Sequence, residues 1–221
     1  MFGVVALVVI ILGVAALVGG WLSESARLAR ALREAPRSTV AELREGVAAR
    51  LVGTVAAQET LTAPLTGRVC VAYVVLVEER ISTGKSSRWV DRVREIKGVT
   101  FTLDDGTGKA MVDAGRAKLL VEMDSTSRSG TFDDATPVEA TFLARHGMNS
   151  QGWFFNKSLR YTEGVIEPGE RVAVMGRGVR EPDPDAASRV IGYRDALPTR
   201  VWLSGTAEQP MILTDKANLA R

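Results

Sequence analysis

The feature that most constrains this 221-residue chain is an apolar run from Phe2 to Leu22, with no charged side chain before Glu24. A helix of that length is about 30 Å long, the thickness of a bilayer's hydrocarbon core. Its Val, Ile, Leu and Phe side chains favour insertion by roughly 5 kcal/mol, which Gly3, Gly13, Gly19 and Gly20 weaken but do not reverse. A secretory signal would carry a basic start, a shorter apolar core and a small-residue cleavage site, and no Lys or Arg precedes this run. The pattern predicts an uncleaved transmembrane helix over residues 1–22, with Phe2, Leu12 and Leu22 in the span and Trp21 at the interface. Arg27, Arg30, Arg33 and Arg37 all follow the span, which predicts an outside N-terminus and a cytosolic remainder. Ala15/Gly19 and Ala16/Gly20 are small pairs four apart, a spacing that allows two such helices to pack as a homo-oligomer, although membrane helices are rich in small residues in any case.

No later run is long enough to span, so the expectation is a single pass followed by one domain of ordinary size. The net charge of +2 shows no global preference for polyanions. The single cysteine, Cys70, excludes an internal disulfide and any multi-cysteine zinc site.

Residues 23–47 read as a helical stalk. Leu28, Leu32 and Ala35 form one stripe over 24–35, and the four arginines form a neighbouring stripe that suits anionic lipid headgroups or a solvated face equally well. Pro36 ends this helix, and Thr39 with Glu42 reads as a capping box opening a short helix over 40–46. Residues 48–215 read as strands, and 216–221 as a tail. Strands are predicted over 51–57, 69–79, 159–166 and 170–179, with shorter ones at 118–122, 201–203 and 211–213. Val99, Phe101 and Leu103 lead through Asp104–Gly108 into residues 109–113, a hairpin signal. Residues 81–97 read as a basic loop or hairpin tip around Trp89, residues 125–134 as loop, and Pro137–Arg145 as a short helix. The expected fold class is α+β and mostly β: a transmembrane helix and stalk, then an OB-like antiparallel barrel with one or two short helices.

Several fragments look like chemistry and fail. Gly84-Lys85-Ser86 lacks the first P-loop glycine, since Glu79 stands there, and Gly108-Lys109 has Leu103 in that place. The single histidine, His146, cannot supply the paired histidines of a histidine phosphatase. Cys70 lies in an apolar strand with no basic partner nearby and reads as structural. No catalytic, metal or cofactor site is expected. Arg88, Trp89, Arg92 and Arg94 are the candidate anionic-ligand residues, but Glu78, Glu79, Asp91 and Glu95 dilute the patch, which disfavours nucleic acid.

Two blocks carry a family resemblance. Residues 61–73, with Pro64, Gly67, Cys70 and Tyr73, and residues 160–178, with Tyr161, Glu163, Pro168, Gly169 and Gly176, resemble the two signatures of the GIDE-type, "beside a membrane" domain. The family's eukaryotic members are mitochondrial and chloroplast E3 ubiquitin ligases with a second membrane helix and a C-terminal RING finger. Bacterial relatives usually lack the RING. One cysteine and one histidine cannot build it here. The resemblance therefore implies a recognition or scaffold domain at a bacterial inner membrane, with lipid and an unknown protein as partners. The alternatives are a component of a ubiquitin-transfer system and an OB-like binder of nucleic acid or anionic lipid.

Overall fold

The computed structural model describes residues 24–82, 84, 86–130, 134–148, 158–183 and 199–221. A helix, α1, covers residues 24–34. The chain then forms β1 (Ala48–Ala57), β2 (Leu61–Thr62), β3 (Val69–Cys70), β4 (Ala72–Ser82), β5 (Ser87–Gly98), β6 (Thr100–Asp104) and β7 (Lys109–Asp113). β8 (Lys118–Leu119), β9 (Ser125–Ser129), helix α2 (Pro137–Arg145), β10 (Leu159–Ile166), β11 (Arg171–Pro182), β12 (Thr199–Ser204) and β13 (Ile212–Thr214) follow.

Five strands pair in a circuit: β1 with β6, β6 with β7, β7 with β12, β12 with β11, and β11 back to β1. Alternating apolar side chains, including Leu51, Val55, Phe101, Leu103, Val112, Val172, Val174 and Leu203, fill the enclosed core. In order along the chain the ring reads first, second, third, fifth, fourth, an OB-type barrel. Closure depends on Gly53. There β1 turns from β11 to β6, with Thr54 facing both Arg171 and Asp104. A Cβ at Gly53 would lie 2.6 Å from the Asp104 carbonyl oxygen, so only glycine admits this approach.

A second sheet, β5-β4-β10-β9, is inserted between barrel strands. β4 is common to both parts. Its Ala72 and Val74 enter the barrel core, while Tyr73, Val75 and Val77 enter a second core beneath α2 with Tyr161, Phe142 and Leu143. Helix α1 lies along the barrel. Leu28 and Leu32 pack with Leu120, Ala173, Ile212, Leu219 and Ala220, and the Arg50 guanidinium donates to the Leu32 carbonyl near the helix end.

Several expectations are corrected. Among the described residues no helix is long and apolar enough to cross a membrane. The described part of α1 is about 16 Å long by its rise per residue and starts at a charged Glu24. On that finding the expected transmembrane fold class and single-pass location, N-terminus outside and domain cytosolic at an inner membrane, do not stand. The span itself, with Phe2, Leu12, Trp21 and Leu22, lies outside the described residues. The barrel is not wholly antiparallel, because β7 and β12 run parallel. Residues 40–42 form a turn in place of the helix expected over 40–46. Its amides are taken by the β6–β7 turn: Val40 N–H donates to Asp105 (2.7 Å) and Ala41 N–H to Thr107 (3.3 Å). Of the segment read as a basic loop or hairpin tip over 81–97, residues 81–82 end strand β4 and 87–97 belong to strand β5, which pairs with β4, and part of the loop read over 125–134 is strand β9.

Candidate functional site

The face of the inserted sheet that carries α2 also carries the loop 63–67, and a groove runs between them. The loop is fixed from below. Glu163, 1 % exposed on β10, accepts the Leu65 N–H at 2.8 Å, the Thr66 N–H at 3.0 Å and the Thr66 hydroxyl. A buried carboxylate held by three donors demands that the loop keep its shape. Gly67 completes the turn at φ +73°, and its N–H donates to the Ala63 carbonyl (3.0 Å). Pro64, Gly67 and Glu163, drawn from two sequence blocks almost a hundred residues apart, therefore form one structural unit.

The opposite wall is α2. Thr136 and Glu139 form a reciprocal capping box with Pro137 in the first turn, and Ser127 holds the other oxygen of Glu139 at 2.5 Å. Val138 stays 48 % exposed on this helix. The C-terminal end is tied to the floor by Glu95 of β5. That carboxylate receives the Tyr73 hydroxyl, two contacts from Arg145 Nη2 (2.9 and 3.0 Å) and His146 Nε2 at 2.7 Å, with Lys97 Nζ at 3.7 Å. Burial pushes the Glu95 pKa up, but these hydrogen bonds and the Arg145 and Lys97 charges outweigh it and hold the carboxyl below its usual range. Tyr73 shifts the other way, raised by burial and by its bond to Glu95. Arg145 also stacks on Phe142, 5.1 Å from the ring centre.

The groove encloses about 480 Å³ among Leu61, Pro64, Leu65, Tyr73, Lys97 and Arg145. A second hollow of about 360 Å³, lined by Pro137, Thr141 and Phe142, shares Pro64, Val138 and Arg145 with it, so the two form one trough. Its lining mixes apolar side chains with Thr62, Thr66, Thr141 and Tyr73, and its charged groups, Lys97 and Arg145, are cationic. No family model matches this chain, and no curated protein or solved structure does. Neither a GIDE-type domain nor a ubiquitin ligase is among the findings.

Cys70 lies beneath the loop, fully buried, with its thiol pushed up to about 11 by burial and by the Glu163 and Glu167 charges, the reverse of what a nucleophile needs. Its Sγ contacts the Leu61 carbonyl at 3.7 Å. His146 is held by Glu95 and lies 4.7 Å from the Phe142 ring centre. Among the described residues no group of three or more His, Cys, Asp or Glu could hold a metal ion.

The other sequence candidates are distributed elsewhere. Tyr161 is buried beside Ser129. Pro168 and Gly169 form the turn into β11, and Gly176 lies on β11 against β12. Arg27, Arg30, Arg33 and Arg37 are exposed, and Arg30 pairs with Glu34 at 2.7 Å. Arg88, Trp89, Arg92 and Arg94 do not converge. Trp89 lies opposite Arg80 and Arg94 opposite Leu76, on the sheet face away from α2, whereas Arg88 lies opposite Ile81 on the other face. Arg92 sits at a register shift and pairs with the buried Glu79 at 2.7 Å. The Trp89 ring is instead covered by Arg160 at 4.4 Å and approached by Arg128 at 6.0 Å, and Arg160 is held bidentately by Glu78. A larger hollow of about 690 Å³ lies between α1 and the loop before Met211, where Lys118 and Glu24 pair at 3.1 Å.

The sequence offered Lys97 and Glu95 only as charges of the basic segment, and gave Arg145, Val138 and the hub role of Glu95 no place in a common site. Glu95 and Lys97 sat among the charges of the basic segment, and only the odd–even alternation of a strand would have put them together beside Tyr73.

Proposed function

We propose that this chain is a recognition domain that binds a segment of a partner protein in the trough between α2 and the loop 63–67. The observation that carries this reading is that both walls are pinned to one sheet by carboxylates, the buried Glu163 under the loop and the half-buried Glu95 at the end of α2. Such a trough exists before anything binds, which lowers the ordering cost of association. The apolar side chains left at its rim, Val138 above all, are the kind that a partner would cover.

Site-directed photo-crosslinking tests it. A benzoylphenylalanine at position 138 should give a discrete protein adduct in cells, and one at position 47 should not, although Val47 and Val138 are both 48 % exposed. Equal adducts from both positions, or turnover of a small substrate that Arg145→Gln abolishes, would sink the proposal.

A further inference from the structure

Resting on the trough as a binding site, we infer that its occupant is an extended peptide segment carrying a carboxylate beside an apolar side chain. Arg145 spends only Nη2 on Glu95. Among the described residues its Nε and Nη1 donors have no hydrogen-bond partner and are open to an incoming anion. Lys97 stands on the same floor with its side chain 55 % exposed and only a loose 3.7 Å contact to Glu95. Glu95 itself is 10 % exposed and already surrounded by donors, so it neutralises one of the two cations and turns little charge outward.

The lining charges select the ligand. Lys97 and Arg145 are the charged side chains among the residues that line the trough, and both are cationic. A carboxylate supplies a negative charge and accepts from the free Nε or Nη1 donor and from Lys97. The walls beside the cations are Pro64, Leu65 and Val138, which present no charge and suit an aliphatic or aromatic side chain. The trough continues past Arg145 along α2 into the second hollow, so a chain can enter and leave it.

The test is a randomised peptide display library of about seven variable positions, panned on the intact chain, followed by fluorescence anisotropy on the selected peptides. Enrichment of Asp or Glu next to an apolar residue is expected, with binding about tenfold weaker when that acid becomes Asn or Gln. The exposed Lys97→Glu variant should weaken the acidic peptides by a similar factor and should bind their Lys-substituted versions better than the parent does. Selected peptides that are apolar without an acid, and that lose binding with Val138→Asp, would overturn the carboxylate assignment while leaving the trough as the site. Phosphoserine in place of the acid binding more tightly would overturn it as well. Peptides indifferent to Val138→Asp, or no selected peptides at all, would overturn both.

Discussion

Glu163 is the side chain whose loss should be felt most. Removing it strands the Leu65 and Thr66 amides and the Thr66 hydroxyl under the loop. Glu163→Ala is expected to cost about 2–4 kcal/mol in urea unfolding, with fast amide exchange confined at first to residues 64–67. Glu163→Gln keeps one acceptor and should fall between the variant and the parent. Asp215 gives a separate, pH-dependent signal. Burial, with the Glu170 and Glu122 charges adding to it, pushes its carboxyl up to about 6 despite the Glu122 N–H that it accepts. A folded pKa above the unfolded 3.8 means that the folded state holds the proton more tightly. The stabilisation is full below 3.8, falls as the pH climbs, and is lost once the pH passes about 6. The melting temperature of the parent minus that of Asp215→Asn should therefore decline across this window and level off above it. Sequence reading placed Pro64, Gly67 and Glu163 in its two blocks but gave them no physical link. It missed Glu95 as a hub because its partners Tyr73 and Arg145 lie 22 and 50 residues away.

At the scale of elements, α2 was legible and β5 was not. Thr136, Pro137 and Glu139 are local signals whose effect depends on neighbours within one turn, and the observed helix covers Pro137–Arg145 as expected. Thr136→Ala should cost about 1 kcal/mol and speed exchange of the Glu139 amide, a change that urea titration and hydrogen exchange can both read. β5 hides its period. It is an edge strand with charges on both faces, and the register shift opposite Val77 and Glu78 inserts Arg92 out of step with the alternation. Thr39 and Glu42 show the converse error. Their hydrogen bonds exist, Thr39 to Glu42 at 3.1 Å and the Glu42 amide to Thr39 at 3.3 Å, yet the amides of Val40 and Ala41 go to the distant β6–β7 turn and no helix grows.

For the molecule as a whole, the barrel closes where β1 meets both β11 and β6. The carbonyl facing Gly53 belongs to the backbone of β6 and cannot swing aside, so Gly53→Ala should push the two strands apart. A loss of about 1–3 kcal/mol in denaturant unfolding is expected, with raised amide exchange along residues 54–57 and 101–104. The strand pairs of this ring could be guessed singly from alternation, but their circuit could not, because it depends on contacts between the first and last thirds of the chain. β4 adds a consequence for anyone who would take the protein apart. Its successive side chains feed two separate interiors, so neither interior survives without the other's strand. The trough cannot be lifted out and grafted onto another scaffold. Tryptophan probes at positions 89 and 202, one in each half, should report a single shared melting transition.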